Sequence, residues 1–255
     1  MCADQWILAF ADQAQIVAVS EEALDSRWSY ESKRAHEQTI HNASLEEIVL
    51  TPPHTKLLFG PHQNYLAAQV QRFLKHSPKL NSREILILSE PNSLQELLDL
   101  TKKVGIWIEQ PQSTQDLINR VTSSISELEK HSTIKNPFNK NAALLLRPDG
   151  GSVGSGTWID SLFELAATDN QAKKYNLIGW GRLHSEQWMM QPPSLYWLAY
   201  FDHQTPSSAL QLTPQDLTSP KHSMSHKQLL NSAAVTCPGP GLLKYALEWV
   251  VPAAH

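Results

Sequence analysis

The chain is predicted to form two small α/β lobes with mostly parallel sheets, joined by one long backbone α-helix. Apolar, strand-like runs and amphipathic helical stretches alternate at short intervals in both halves, which is the pattern of parallel sheets covered by helices. Between the halves, residues 113–131 carry apolar side chains every three or four residues in a polar background. One narrow apolar stripe without a strand partner is typical of a connecting helix. The predicted parts are an amino-terminal lobe, a connecting helix and a carboxyl-terminal lobe, at 1–112, 113–132 and 133–255.

The composition is that of an ordinary globular protein, with 41% hydrophobic and 18% charged residues in 255. A net charge of −4 gives no electrostatic reason to expect a nucleic-acid partner. The sequence contains no run of about eighteen apolar residues, so no membrane-spanning helix is predicted. The amino terminus shows no basic segment followed by an apolar one, so no secretory signal is recognised in the sequence as given. A cytoplasmic protein and one whose signal is not part of this sequence both remain open.

The first elements follow from local residue patterns. Residues 3–11 have helical spacing and predict a helix. Residues 16–20, which read IVAVS, are rich in β-branched side chains and predict a short strand. Residues 21–38 are polar and compatible with a helix. The chain is therefore expected to begin with a helix and a strand in close succession, followed by this helix-compatible segment.

The rest of the first half is bounded by caps and helix breakers. Ser44 is a typical N-cap for a helix that Pro52 and Pro53 stop. Gly105 is the predicted end of the last helix of this half. The apolar runs and amphipathic stretches in between predict strands at 56–60 and 84–89 and helices at 62–75 and 93–104.

The second half starts with an apolar strand, a Gly-rich loop between Gly150 and Gly156, and an amphipathic helix at 156–167. A strand, a turn and a helix make half of a βαβ unit, in which ligands bind beyond the carboxyl ends of the strands. Arg147 and Trp158 are therefore the first candidates for contacting a ligand. The strands of this half are predicted at 142–146, at 195–201 and up to Thr236–Cys237, with helices at 185–190 and 241–251 and a loop at 178–183.

The Gly-rich loop also allows an enzyme hypothesis, a cytoplasmic α/β enzyme that acts on a nucleotide or a tetrapyrrole. The loop lacks the spacing G-x-G-x-x-G, and no G-K-[ST] follows it, so a phosphate site depends on glycine content alone. A tight turn that needs positive φ is the alternative for this loop.

Four segments resemble the motifs of one known family in their order along the chain. They are CADQWILAFADQAQIVAVS, SLEEIVLTPPHTKLLFG, SVGSGTWIDSLFELAATDNQA and RLHSEQWMMQPPSLYWLAY. This series resembles the helical-backbone (class III) periplasmic substrate-binding proteins of ABC importers over essentially the whole chain. His54 and Ser194 stand where the family usually has aspartate. The family's first strand would precede Cys2, so the first lobe is expected to be short of a strand.

The resemblance implies a non-enzymatic, monomeric receptor in the periplasm. Members of the family bind ferric siderophores, haem, cobalamin or bare metal ions in the cleft between the lobes and deliver them to an ABC permease in the inner membrane. Carried over by motif, Glu46 and Glu186 are the surface carboxylates that would dock onto arginines of the permease. The alternative for each is a solvated carboxylate near a helix start, which stabilises the helix by only about 0.3–1 kcal/mol.

A cleft that holds a large, flat, partly apolar ligand needs aromatic walls and a few fixed polar groups. Arg147 and Arg182 would suit ligand carboxylates through paired N–H donors, and salt bridges within one lobe are the alternative for both. About half of the eight tryptophans are expected to pack in the core. The candidate ligand-binding residues are Trp28, Tyr30, Phe59, Arg147, Trp158, Trp180 and Arg182.

Cys2 and Cys237 lie near opposite ends of the sequence and are predicted at the carboxyl ends of strands in different lobes. A disulfide between the lobes, two buried thiols and a pair of soft metal ligands all remain open. A disulfide is the expected state if the protein is exported. The spacing of His54 and His62 is no metal signature.

The leading hypothesis is a substrate-binding protein that captures an iron complex or a corrinoid for an ABC importer. It assigns no catalytic residue, no cofactor, no metal ligand and no nucleic-acid partner. The α/β enzyme is the first alternative, and a degenerate pair of lobes that serves as an interaction module is the second. Which chelate is bound is not predicted, because aromatic and arginine content fits a siderophore, haem and a corrinoid alike.

Overall fold

The computed structural model of the protein describes residues 2–42, 44–77, 83–132, 142–166, 168–201 and 226–249. The helices are α1 Cys2–Phe10, α2 Ser32–Ala35, α3 Leu45–Leu50, α4 Asn64–Lys75, α5 Leu94–Trp107, α6 Pro111–Ser132, α7 Asp160–Leu165, α8 Ser185–Met190, α9 Ser232–Thr236 and α10 Pro240–Trp249. The strands are β1 Val19–Ser20, β2 Ile40–His41, β3 Leu57–Phe59, β4 Ile85–Ile87, β5 Ala142–Leu146, β6 Gly151–Val153, β7 Asp169–Asn170, β8 Trp180–Arg182, β9 Leu195–Leu198 and β10 His226–Leu229. Short 3₁₀ turns lie at Gln13–Gln15, Glu21–Leu24 and Gln171–Tyr175.

Parallel pairing dominates the sheets, as predicted. In the first half, β1 pairs with β2 and β3 with β4, both in parallel. In the second half, the four-stranded sheet has the order β10-β9-β5-β7, again parallel throughout. The strands β6 and β8 add one antiparallel ribbon. The α/β fold class with mostly parallel sheets is confirmed.

The predicted long helix is present as α6 and is packed along its first turns. Its apolar stripe buries Leu117 and Val121, and the helix contacts α5 and α10. The same core cluster continues into α1, β5, β9 and α10, so helices from both halves share one apolar interior. None of the helices in the described ranges combines the length and hydropathy needed to span a bilayer. The division at 1–112, 113–132 and 133–255 stays a prediction.

The end that was predicted for α5 at Gly105 is wrong. The helix continues to Trp107, and Gly105 lies inside it against α6. A Cβ at this position would lie 2.0 Å from Thr114 Oγ1. Glycine is thus required here because α5 and α6 approach closely. It does not adopt the left-handed conformation with which glycine commonly ends a helix.

Three further elements differ from the prediction because tertiary contacts outweigh local patterns. The segment before Cys237 is a helix, capped by Asn231, whose side chain accepts the Ala234 N–H at 3.1 Å. The polar, helix-compatible segment at 21–38 forms only the turn Glu21–Leu24 and the single turn α2. The helix predicted at 156–167 starts later, at Asp160. The polar stretch at 203–227 falls mostly outside the described residues.

Candidate functional site

Arg147 and Tyr200 meet at one edge of the four-stranded sheet. Arg147 directly follows β5, and Tyr200 follows β9 after one intervening residue. The two strands are parallel neighbours, with Leu146 paired to Leu198, so their carboxyl ends lie side by side. The Arg147 guanidinium carbon lies 5.0 Å from the centroid of the Tyr200 ring, within the range of a cation–π contact.

Trp28 extends this cluster to the first half of the chain. Its ring centroid is 6.0 Å from that of Tyr200, with the planes tilted by 36°, and both rings are half-buried. Trp28 precedes α6 in the sequence, whereas Tyr200 and Arg147 follow it. The aromatic and cationic groups of the two halves therefore converge on one spot.

Tyr200 was missed by the sequence analysis, which placed it inside a strand at 195–201. The structure ends β9 at Leu198 and gives Tyr200 a φ of 66°, a conformation that costs a non-glycine residue free energy. The Tyr200 N–H donates to Ser232 Oγ at 2.9 Å, and its hydroxyl donates to the Val235 carbonyl at 3.3 Å. These bonds hold the ring beside Arg147. Tyr200 could be recognised as a site residue only from its position beside the end of β5. That position depends on the order of the strands in the sheet, which local sequence patterns do not show.

Asp149 lies between the two arginines that were predicted to meet ligand carboxylates. Its carboxylate is 3.6 Å from Arg147 Nε and 3.5 Å from Arg182 Nη2. One carboxylate shared by two guanidinium groups leaves the group with net positive charge, and the Arg182 side chain is 74% exposed. The Nε atom of Arg147 is buried and makes no hydrogen bond within the described chain. Salt bridges within one lobe, the alternative role for both arginines, are therefore present at this site. They leave further N–H groups of the two arginines that a ligand could bind.

Trp158 and Trp180 form a second aromatic pair, with ring centroids 6.2 Å apart. Trp158 is only 2% exposed, and its Nε1 atom has no hydrogen-bond acceptor among the described residues. Trp180 is exposed and lies two residues before Arg182 on β8. Alternate residues of a strand share a face, so Trp180 and Arg182 connect the two parts of the site.

Phe59 lies apart from this cluster. It is 4% exposed and packs with Ile48, Leu57 and Val70 in the core of the first half. The strand ends with Phe59 pointing inward, because alternation along β3 places Leu57 and Phe59 on the same buried side. Its predicted contact with a ligand finds no support in this position.

Tyr30 lies in the contact between the two halves. Its hydroxyl donates to Glu248 Oε2 on α10 at 3.2 Å. A Cβ on Gly241 would lie 2.8 Å from the Tyr30 Cβ, so the backbone of α10 approaches this ring closely. The neighbouring Glu31 binds Lys244 of the same helix. These contacts assign Tyr30 to the attachment of α10 and give no evidence that it lines a ligand site.

The Tyr30–Glu248 contact predicts a pH dependence. Burial, and then the nearby Glu248 charge, raise the pKa of Tyr30 to about 12, whereas an unfolded tyrosine ionises near pH 10. Neutral Tyr30 therefore stabilises the fold fully below about pH 10, and this contribution is lost as the pH rises to about 12. We expect the urea midpoint of the native protein to fall more steeply over this interval than that of Tyr30→Phe. Equal slopes for the two proteins would contradict the prediction.

The Gly-rich segment builds a ribbon and not a phosphate loop. After β5 the chain turns back through Gly150, which has a φ of 76°, and Arg147 N–H donates to the Gly151 carbonyl at 2.9 Å. The strand β6 then pairs with β8, with Gly151 opposite Arg182. Glycines here serve a tight turn and close backbone packing, which removes the basis of the nucleotide hypothesis.

Polar side chains of this segment hold the ribbon to the following helix. Asn170 Nδ2 donates to Asp160 Oδ1 at 3.0 Å and to the Val153 carbonyl at 3.1 Å. Lys173 Nζ lies 2.7 Å from the same Asp160 carboxylate. Thr157 Oγ1 accepts the Asp160 N–H at 3.1 Å. The motif that carried the family resemblance in this half is therefore a structural network next to Trp158.

Cys2 and Cys237 form a disulfide, with their Cα atoms 5.4 Å apart. Cys2 is the first residue of α1, and Cys237 follows α9, so the predicted position at strand ends is wrong for both. The bond ties the first residue of the described chain to its last part. Within the described residues, no group of three or more His, Cys, Asp or Glu side chains is placed to hold a metal ion.

Glu46 and Glu186 occupy corresponding places in the two halves. Each is exposed and is the second residue of a short helix, α3 and α8 respectively. Each also precedes a pair of prolines by the same spacing, with Pro52 after Glu46 and Pro192 after Glu186. Both helices lead into a parallel strand. The structure leaves both carboxylates accessible, and their docking stays a prediction.

Several solved structures are similar to this chain over nearly their full length. The periplasmic haem-binding protein HutB of Vibrio cholerae matches with a TM-score of 0.71 and 16% identity, covering 99% of this chain and 95% of its own. The periplasmic haem-binding protein RhuT of a Roseiflexus species matches with a TM-score of 0.70 and 16% identity, covering 100% and 96%. A possible iron-binding, periplasmic solute-binding protein of Staphylococcus epidermidis matches with a TM-score of 0.65 and 15% identity, covering 97% and 94%.

Sequence comparisons identify no relatives beyond these structural similarities. No protein-family model matches the chain, and no match is found among curated proteins. At 15% to 16% identity, the solved structures establish the two-lobed α/β fold of periplasmic solute-binding proteins for this chain.

Proposed function

We propose that this chain, which has the fold of the helical-backbone periplasmic substrate-binding proteins, is the substrate-binding protein of an ABC importer. It captures a metal chelate between its lobes and delivers it to the permease. The proposal is supported by the names of the similar structures, which are haem-binding and iron-binding periplasmic proteins. It places the chain in the periplasm as a monomeric receptor without catalytic activity.

The observation that carries the proposal is the convergence of Trp28, Tyr200 and Arg147. An aromatic ring from one half and a ring with a guanidinium group from the other half lie within 6.0 Å of each other at the carboxyl edge of a parallel sheet. Open α/β sheets bind ligands at this edge. Flat aromatic faces beside a fixed cation suit a chelate with a planar or aromatic body and acidic substituents.

The residues present divide the work of binding. Arg147 and Arg182 supply N–H donors for carboxylates or for anionic oxygens of the chelate. Asp149 orients both guanidinium groups without neutralising them. The Trp158 indole N–H is a further donor that is without an acceptor in the described chain. Trp28, Tyr200 and Trp180 provide the aromatic surface on which the body of the chelate would pack.

The contact between the lobes favours a small rocking motion on binding. The disulfide Cys2–Cys237, the Glu31–Lys244 ion pair and the Tyr30–Glu248 hydrogen bond all lie on the side of α1 and α10. These links restrict the relative movement of the two halves, so closure on a ligand would be a small rocking motion. The exposed carboxylates of Glu46 and Glu186 then serve as the docking points for the permease.

Replacing Arg147 tests the proposal directly. Purified protein is titrated by tryptophan fluorescence with haem, cobalamin and a small panel of ferric siderophores. We expect saturable quenching by one of them, and a dissociation constant at least about tenfold larger for Arg147→Gln, since a charge-assisted hydrogen bond contributes about 1.5–3 kcal/mol.

Arg120→Gln is the matched control, because Arg120 is exposed on α6 and is not part of the cluster, so the same charge is removed outside the proposed site. Its affinity is expected to equal that of the native protein. If none of the chelates binds, the proposed cargo is wrong. If a chelate binds and Arg147→Gln has native affinity, the assignment of the site is wrong.

A further inference from the structure

Asp149 is the acidic group of the candidate site, and the turn that follows β5 fixes its place. The Arg147 N–H donates to the Gly151 carbonyl, and the Gly150 N–H donates to the Arg147 carbonyl, both at 2.9 Å. The Gly151 N–H in turn donates to Asp149 Oδ1 at 3.0 Å. Because the backbone of the turn itself holds this carboxylate, its negative charge stays at the site whether or not a ligand is bound.

Gly151 leaves the space that two side chains of this turn share. A Cβ there would lie 2.8 Å from Asp149 Oδ1 and 3.1 Å from Arg147 Cδ. The same glycine lies opposite Arg182 in the ribbon β6–β8. An aspartate and an arginine are thus packed over one turn, and a second arginine reaches them from the neighbouring strand.

The Asp149 carboxylate lies close to both arginines without occupying all of their donors. Its Oδ1 lies 3.6 Å from Arg147 Nε, and its Oδ2 lies 3.5 Å from Arg182 Nη2. Charge-assisted hydrogen bonds between such groups are shorter, about 2.7–2.9 Å. The Arg147 Nε atom makes no hydrogen bond to a described residue, and the Arg182 side chain is largely exposed. A ligand anion can therefore bind both arginines, but only next to the Asp149 carboxylate.

The three ionised groups together carry one net positive charge. Within the described ranges, neither arginine is paired with a second carboxylate. The attraction of an anion to such a site grows in proportion to the charge of the anion. The cost of taking the anion out of water grows faster, with the square of that charge in the Born description. Halving the positive charge of the site therefore lowers the ligand charge at which attraction and desolvation balance.

We propose that Asp149 selects the charge of the ligand, so that the site takes a chelate with one net negative charge in preference to polyanionic chelates. With an uncharged residue at this position, the two arginines would favour ligands that carry more negative charge. The inference rests on the proposed function, because it names the charge class of the cargo at that same site. It makes Asp149 a specificity-determining residue as well as one that orients the arginines.

The test compares native protein with Asp149→Asn in titrations with three chelates. They are a neutral ferric tris-hydroxamate, a trianionic ferric tris-catecholate and ferric haem, which carries one net negative charge. Asparagine keeps an oxygen that can accept the Gly151 N–H and removes only the charge. We expect the variant's affinity for the tris-catecholate to rise at least about tenfold relative to its affinity for the tris-hydroxamate, because every ligand charge interacts with the removed carboxylate. The rise for haem should be smaller.

Asp169→Asn is the matched control. Asp169 is exposed and pairs with Ala142 at the start of β5, whereas Arg147 follows the end of that strand. Five residues along a strand span about 16 Å, which exceeds the range of interactions between exposed charges at physiological ionic strength. The relative affinities of this variant for the three chelates should equal those of the native protein.

Quenching of tryptophan fluorescence tests the same charge without any chelate. Trp180 is exposed and lies two residues before Arg182 on β8, so a small anion that collects at the arginines also meets this ring. Asp149→Asn should raise the quenching constant for iodide about 1.5-fold or more. The constant for neutral acrylamide should stay unchanged, and Asp169→Asn should change neither constant.

The outcomes separate this inference from the proposed function. If no chelate binds to either protein and iodide quenching still responds to Asp149→Asn, the proposed cargo is wrong and the charge selection stands. Equal changes of affinity for the neutral and the trianionic chelate would overturn the selection, and so would iodide quenching that does not respond. Native protein that binds the tris-catecholate more tightly than the other two chelates would also contradict the proposal.

Discussion

Replacing both Cys2 and Cys237 by alanine is expected to lower the free energy of unfolding by about 5 kcal/mol. The disulfide joins residues separated by 235 positions. Without the bond, nearly the whole unfolded chain is no longer held in a closed loop. The conformational entropy that the unfolded state gains is larger the longer the loop was. Denaturant unfolding of the oxidised native protein and of the double variant measures the difference.

Reduced native protein is the matched control, since it keeps both side chains and lacks only the bond. It should be destabilised nearly as much as Cys2→Ala/Cys237→Ala. The packing around Cys237, which is buried, accounts for any small difference between the two. A double variant with the stability of the oxidised protein would show that the disulfide does not constrain the unfolded chain.

Measuring the chelate affinity of the double cysteine variant tests whether the disulfide is needed for binding or only for stability. The Glu31–Lys244 and Tyr30–Glu248 contacts also join α10 to the first half, so the folded double variant keeps the lobes together. We therefore expect its affinity to change by less than about threefold, far below the effect of Arg147→Gln.

Gly154→Ala is expected to lower the free energy of unfolding by about 3 kcal/mol or more. A Cβ at this position would lie 1.8 Å from the Leu177 carbonyl oxygen, which is a backbone atom and cannot rotate away. The Gly154 N–H donates to the Gly179 carbonyl at 2.8 Å, and the Ser155 N–H donates to the Leu177 carbonyl at 3.1 Å. Relief of the overlap must therefore break this junction and shift β8.

Gly150→Ala is the matched control, because Gly150 lies in the same Gly-rich segment, just before β6, and a Cβ there would meet no described atom within 4 Å. Its φ of 76° makes alanine there costly by about 1–2 kcal/mol through backbone conformation alone. Urea unfolding should rank the two variants with Gly154→Ala clearly the less stable. Equal losses would show that the close approach of Leu177 is not what requires glycine at 154.

The same variant has a second expected consequence for the site. The strand β8 carries Trp180 and Arg182, so a shift of this strand moves an aromatic ring and a cation of the candidate site. The tryptophan emission of folded Gly154→Ala should differ from that of the native protein, whereas Gly150→Ala should retain the native spectrum. The close packing at Gly154 is thus expected to fix the positions of Trp180 and Arg182 through β8.

Local patterns predicted the regular elements well. The strand at 142–146 coincides with β5, and the helix at 62–75 overlaps α4 for all but its first two residues. The connecting helix at 113–132 corresponds to α6. These elements are long or strongly periodic, and their apolar spacing is a property of the chain alone. Arg147 was proposed as a ligand contact in this way, because it directly follows an apolar strand, and that role stays a prediction.

Elements that depend on a neighbour were not predictable from such patterns. Gly105 has the chemistry of a helix end, but the approach of Thr114 keeps it inside α5. Tyr200 gains its place beside Arg147 from the adjacency of β5 and β9, and strand order is not written in local spacing. Phe59 was expected in the cleft and lies in the core, because its strand turns that face inward.

The sequence by itself determined the α/β class, the long connecting helix and the chemical types that a chelate site would need, since periodicity, caps and side-chain chemistry are local. Only the tertiary structure decided which of these groups meet: Arg147 with Tyr200 and Trp28, Asp149 between two arginines, and Cys2 with Cys237. The physical reason is that contacts between residues far apart in the chain depend on sheet order and helix packing, which result from burying apolar surface over the whole molecule.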